Sequence, residues 1–168
     1  MLKYEITDFA KTIIDKFLLS KQLININEID VGLMLVDDIN NIILFEQNSI
    51  YECNSNLDFL RYLEDQNYDF YWKKHEYGLF SENTIFRKRT NVEKILVHID
   101  NKSFDSRNDC NAIIETNSNR MIYGCKNSTF PLSISILGPG CFYHILDKNF
   151  NSITIPKHIS EIQELCFS

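Results

Sequence analysis

The last forty residues of this chain write one phrase twice, and no other feature limits the fold as tightly. Thr129-Phe130-Pro131-Leu132-Ser133-Ile134-Ser135-Ile136-Leu137 runs on to Cys141-Phe142, and Thr154-Ile155-Pro156-Lys157-His158-Ile159-Ser160-Glu161-Ile162 runs on to Cys166-Phe167. Proline (131 and 156), isoleucine (134 and 159), cysteine (141 and 166) and phenylalanine (142 and 167) recur at a constant offset of 25 with no gap. A unit of this size cannot bury its apolar face alone, so each copy is covered by the next one stacked on it. The stack predicts parallel strands and an inward set comprising Ile134, Leu137, Phe142, Ile153, Ile155, Ile159, Ile162 and Phe167.

Two strings give the repeat a family likeness. Asp105-Ser106-Arg107-Asn108-Asp109-Cys110-Asn111-Ala112-Ile113-Ile114-Glu115-Thr116 followed by Gly124-Cys125-Lys126-Asn127, and Ile153-Thr154-Ile155-Pro156 followed by Ile159-Ser160 and Ile162, resemble the BspA-like leucine-rich repeat family. The period also falls in the range of about 20–29 residues used by leucine-rich solenoids. The likeness covers residues 91–168. Where that family writes glycine after the Leu137/Ile162 position, the chain has Gly138 and then Gln163; where it writes alanine before the phenylalanine, the chain has Cys141 and Cys166. The resemblance implies a leucine-rich β-stack, small buried residues at both cysteines, and a binding role without a named partner.

Upstream, Val92, Ile95 and Val97 align with Phe150, Ile153 and Ile155 at an offset of 58, one repeat plus an insertion. Within it, Ala112–Thr116 and Met121–Cys125 flank the polar loop 117–120, the pattern of a β-hairpin. Solenoids need about three repeats and a cap to be stable. The expected fold class is therefore α+β: an N-terminal α/β capping domain over residues 1-90, then a short leucine-rich-repeat β-solenoid over 91-168 with a hairpin insertion at 110-126. The C-terminal end of the stack is expected to pair with a second copy or to be closed by a partner.

The first ninety residues carry their own signals. Ile6, Phe9, Ala10, Ile13, Ile14, Phe17 and Leu18 share one helical face, with Thr7 or Asp8 as the cap. Leu23–Asn27 partly alternates like a strand, while Val31–Val36 and Ile42–Phe45 are apolar runs around the turn Asp37–Asn41, which together read as a hairpin. A second helix is expected over Leu57–Glu64, capped by Ser55 or Asn56. Rings then gather at Tyr68, Phe70, Tyr71, Trp72, Tyr77 and Phe80; they are either a seam in the core or a partner surface, and Tyr68, Tyr71, Trp72, Tyr77 and Phe80 are the candidate partner-binding residues.

Charge narrows the partners. A net charge of −6 disfavours nucleic acid and anionic membrane, both of which are held by clustered Lys and Arg, and favours a basic protein. The opening residues lack the apolar core of a secretory signal, no apolar run approaches the length of a membrane span, and five cysteines without a Cys-x-x-Cys pair suit a reduced compartment, so a cytoplasmic location is expected. No catalytic, metal or cofactor motif stands out: His75-Glu76 lacks a second histidine, Gly138-Pro139-Gly140 reads as a turn, and Asp37-Asp38 reads as solvated. Cys141 and Cys166, neighbours across the ladder, read as small hydrophobes, with a disulfide or a metal shared with His144 or His158 as the alternative. The reading is a non-catalytic protein-protein interaction module. The alternatives are an immunity- or antitoxin-type inhibitor of a basic toxin and a small enzyme housed in residues 1-90.

Overall fold

In the computed structural model the chain is described at residues 5–47, 49–53, 92–138, 140–142, 153–163 and 166. The second expected helix, 57–64, the aromatic segment 68–80, and Phe150 and Phe167 lie outside these. The first expected helix forms as α1, Asp8–Leu19, with Ala10, Ile13, Ile14 and Phe17 buried along one face. Thr7 is extended, and its hydroxyl oxygen accepts the Ala10 amide at 3.1 Å, satisfying one of the unpaired first-turn donors. At the other end Lys21 takes a left-handed conformation (φ 60°), and the Gln22 and Leu23 amides both donate to the Phe17 carbonyl.

Four strands make the first sheet: β1 (Leu33–Val36), β2 (Ile42–Phe45), β3 (Ile50–Cys53) and β4 (Lys94–Val97), in the order β3-β2-β1-β4. The expected hairpin is present as the antiparallel pair β1/β2, turning at residues 37–41. All eight residues of β1 and β2 are buried because the sheet is covered on both sides. Leu33, Leu35, Ile43 and Phe45 pack with the α1 stripe, and Met34, Val36, Ile42 and Leu44 join the second core. This is why the sequence shows continuous apolar runs and no alternation.

Two expectations change around the first sheet. Leu23–Asn27 is not a strand: Leu23 is buried under α1, and the Asn25 side chain accepts the Asn27 amide at 2.8 Å to cap a short 3-10 turn, Ile26–Glu28. Asparagine's local hydrogen bond outcompetes the strand ladder there. Residues Ile95 and Val97, aligned above with the head of the repeat, lie in β4, which pairs in parallel with β1 of the first sheet. Their side chains nonetheless enter the core against which Ile153 and Ile155 pack.

The second sheet runs β5 (Phe104–Asp105), β6 (Ile113–Glu115), β7 (Arg120–Tyr123), β8 (Ile136–Leu137) and β9 (Glu161–Ile162), in that order. The inserted hairpin is the antiparallel pair β6/β7, with Asn119 in the left-handed region at its turn. β8 and β9 pair in parallel with Ile136 opposite Glu161 and Leu137 opposite Ile162, the offset written in the sequence. Local bonds repeat with them: the Ile134 amide donates to the Pro131 carbonyl and Ile159 to Pro156, Cys141 to Gly138 and Cys166 to Gln163. A Cβ at Gly138 would sit tightly against the Met121 carbonyl oxygen, at 3.1 Å.

The inward set is graded from rung to rung. Ile134, Leu137 and Phe142 are buried, whereas Ile159, Ile153 and Ile155 are half-buried and Ile162 is 50% exposed. Ile162, expected to be buried, is exposed: among the described residues β9 is the last strand of the sheet and pairs with β8 alone. Among the described residues the fold is mixed α+β, one helix and two small sheets, with one core between α1 and the first sheet and a second shared by the two sheets.

Candidate functional site

The first sheet ends in polar residues where its two parallel strands stop. Val36 and Val97 are register partners, so Asp37 and His98, which follow them, emerge side by side; the His98 amide donates to the Val36 carbonyl at 2.8 Å. In open parallel α/β sheets binding loops gather at the carboxyl ends of the strands, and this mixed sheet has one such parallel pair, β1/β4. Here they meet the C-terminal turn of α1, and together they line an open cleft of about 310 Å3 formed by Lys16, Leu19, Ser20, Asp38, His98 and Asp100.

The charged groups of the cleft are mutually fixed. The Lys16 ammonium donates to Asp37 Oδ2 at 3.0 Å and to Asp38 Oδ1 at 2.8 Å. Asp37 is wholly buried, contrary to the solvated role expected for it, and also accepts the Ile39 amide (3.1 Å), the Asn41 amide (2.7 Å) and the Asn41 side-chain amide (3.0 Å). The lysine hydrogen bond holds the Asp38 carboxyl below the ordinary carboxylate range. Burial works against the Lys16 charge, but the hydrogen bonds to Asp38 and Asp37 overcome it and hold the ammonium above its ordinary value.

His98 has no nitrogen to spare. Nδ1 faces the Asp100 amide at 3.2 Å, which can only donate, so the neutral ring carries its proton on Nε2 and gives it to the Lys16 carbonyl at 3.2 Å. The ring stands edge-on to Phe17, with centroids 5.3 Å apart. Gln22 pins the same loop: its Nε2 donates to the Val97 carbonyl and its Oε1 accepts the Ile99 amide, each at 2.9 Å. Asn101 Nδ2 reaches across to the Asp37 carbonyl and to Asn40 Oδ1, again at 2.9 Å each, tying the two loops together. The Ser20 hydroxyl is turned to the Phe17 carbonyl and Gln22 Oε1.

The rim, by contrast, is left to solvent. Leu19 is 84% exposed, Ile99, between His98 and Asp100, is 75% exposed, and Ile39, next to Asp38, is 59% exposed. Asp100 is 78% exposed. Of the two carboxylates in the lining, Asp38 is taken up by Lys16 and Asp100 remains exposed, so Asp100 beside the exposed Leu19 is the part of the cleft that can meet a cationic side chain. It offers no activated nucleophile.

Of the residues expected to bind a partner, Tyr68, Tyr71, Trp72, Tyr77 and Phe80 all lie outside the described residues. Cys141 and Cys166 are buried in the stack as unbridged thiols, and His158 gives its Nε2 to the Pro131 carbonyl at 3.0 Å. Cys110 and Cys125 are buried beside one turn, contacting the Ala112 and Asn111 carbonyls. Among the described residues no cluster of His, Cys, Asp or Glu could hold a metal ion, and no helix is long and apolar enough to cross a membrane. The string Asp105–Thr116 encloses a polar knot: Arg107 forks onto Asp105 at 2.7 Å through two nitrogens and reaches Asn119 and Ser133, while Thr116 donates to Asp105. Sequence reasoning missed the cleft. Its signal was the polar residue straight after each apolar strand, Asp37 after Val36 and His98 after Val97. No family model, curated protein or solved structure matches this chain.

Proposed function

We propose that this chain is a non-catalytic protein-binding module, a capping unit over residues 1-90 joined to a short leucine-rich stack of the BspA-like type over 91-168, and that it binds a basic protein through the cleft and its rim. One observation carries the reading. Leu19 lines the cleft and stands in solvent, and Ile39 and Ile99, next in sequence to the lining residues Asp38, His98 and Asp100, are exposed as well, on loops tied down by Gln22, Asn101 and Asp37. Scattered exposed aliphatics need no explanation, but a group of them around fixed charge on preorganised loops is the anatomy of an interaction surface. The parallel pairing of β8 and β9 at the repeat offset supports the leucine-rich part of the reading.

The acidic balance favours one narrower form, an inhibitor that neutralises a basic toxin, because a net charge of −6 and the exposed Asp100 speed encounter with a positive surface. A photo-crosslinking residue at position 99 tests the proposal in the native cytosol. A basic protein should be captured, and capture should fall with added salt and be lost with Asp100→Lys. Capture unaffected by Asp100→Lys, or equal capture from a probe placed at exposed Leu132 of the stack, sinks the reading.

A further inference from the structure

The parallel ladder of the second sheet ends in a half-finished row. Met121, Leu137 and Ile162 are successive register partners on its inward face, and their exposure runs 0%, 0% and 50%. Leu137 has a strand on either side of it, and among the described residues Ile162 has one only. The backbone is unfinished in the same place. The Glu161 amide donates to the carbonyl of Ser135, just before β8, and the Gln163 amide to that of Leu137 in β8, so the alternate residue, Ile162, turns its N–H and its C=O away from the sheet. Both point out along the free edge.

We propose that β9 pairs with β9 of a second copy of this chain across a twofold axis, in antiparallel register with Ile162 opposite Ile162. The geometry is self-complementary on three counts. A residue that presents both its amide and its carbonyl to the edge exchanges two hydrogen bonds with its own symmetry mate. The inward row then continues without a break from Met121, Leu137 and Ile162 of one copy into the same three residues of the other, giving each Ile162 the apolar neighbour it lacks. On the opposite face this register sets Glu161 against Gln163 of the second copy, so a carboxylate meets an amide and the like charges are staggered apart. Within each chain Gln163 Nε2 already donates to Glu161 Oε1 at 3.1 Å, and Gln163 Oε1 accepts from Arg120 at 3.1 Å, which holds the amide in place with a second N–H to offer. A one-residue slip sets Glu161 against the Ile162 side chain and loses all three matches.

This edge shares no residue with the acidic cleft, so the pairing stands or falls independently of it. The test is sedimentation equilibrium of the chain from about 1 to 200 µM, the range expected of an interface built on one short strand. The expected result is a monomer–dimer equilibrium. Ile162→Lys, which opposes two ammonium groups across the axis at a position already half in water, should weaken it at least about tenfold without altering the circular dichroism spectrum. Gln163→Glu, which opposes carboxylates, should weaken it too, and added salt should restore part of the loss. Leu132→Lys, at an exposed apolar residue off the strand, should leave it unchanged. A monomer throughout the range, a dimer indifferent to Ile162→Lys, or mass growing past two copies would each overturn the proposal, the last because it signals head-to-tail stacking without a closing axis.

Discussion

Leu137 and Ile162 occupy the same place in consecutive repeats, so truncating each to alanine measures what a rung of the stack contributes. Leu137 lies between Met121 and Ile162 in the ladder and has no exposed surface. Leu137→Ala therefore loses the transfer free energy of the deleted carbons and leaves a cavity, a cost of about 2–5 kcal/mol. Ile162→Ala removes as many carbons from a side chain that is 50% exposed, and opens a notch that water fills. Half of the roughly 1.5–3 kcal/mol for complete burial gives about 1 kcal/mol, with no cavity contribution. Urea unfolding followed by circular dichroism resolves the two, provided the slope is unchanged so that the midpoint reports stability alone. The measurement belongs at about 1 µM, where mass action keeps any association of the chain from adding to stability. For a chain of this size about 2–4 °C accompanies each kcal/mol, so Leu137→Ala should melt roughly 4–20 °C early and Ile162→Ala roughly 2–4 °C. Equal losses, or a larger one at Ile162, would refute the one-sided stacking on which the graded burial rests.

Three further outcomes follow from side-chain geometry and charge. A Cβ on Gly124 would clash with the Cε1–Cζ edge of the Phe142 ring, so Gly124→Ala should cost about 1–3 kcal/mol, and adding Phe142→Leu should recover part of it, a non-additivity that denaturant midpoints in a double-mutant cycle will show. Burial of Asp105 opposes its charge, but hydrogen bonds from Arg107 and Thr116 hold its carboxyl below the ordinary 3.8. A group depressed in the folded state stabilises above its unfolded value and loses that contribution as pH falls through the folded one, so Asp105→Asn should flatten the acid limb of a stability profile taken from pH 6 downward. Burial pushes the thiols of Cys110, Cys125 and Cys141 up, Cys141 furthest, so native protein should resist iodoacetamide at these positions and react promptly in urea, as mass spectrometry of the alkylated peptides will report.

What the sequence reveals depends on whether a residue's role is set along the chain or across it. The α1 stripe, the Asp37–Asn41 turn, the 117–120 loop and the 25-residue offset are all local or periodic, and each is found where the pattern places it. The misreadings are of another kind. Leu23–Asn27 looks like a strand until the chain reversal after α1 turns Leu23 under Phe17 and leaves Asn25 to cap a turn. β4 carries repeat-like isoleucine and valine, yet its hydrogen bonds go to β1, about sixty residues earlier, because apolar spacing states which face is inward and not which strand lies alongside.

The cleft is the sharpest case. Its polar groups come from α1, the β1/β2 turn and the segment after β4, three stretches that only the parallel pairing of β1 with β4 brings together. Read singly, Asp37 is a turn carboxylate, His98 a lone histidine and Gln22 a surface amide. Once Val36 lies beside Val97, each acquires a structural duty: Asp37 gathers four donors, His98 spends both nitrogens on backbone, and Gln22 completes the edge of β4 as a missing strand would. Groups so fully engaged are poorly suited to moving protons and well suited to holding a surface still. In the proposed binding role, recognition would therefore rest on exposed neighbours of the network, Leu19, Ile99 and Asp100. The side chains of these three can be replaced one at a time without unpairing a buried side-chain group, so loss of binding at any of them would report recognition and not folding.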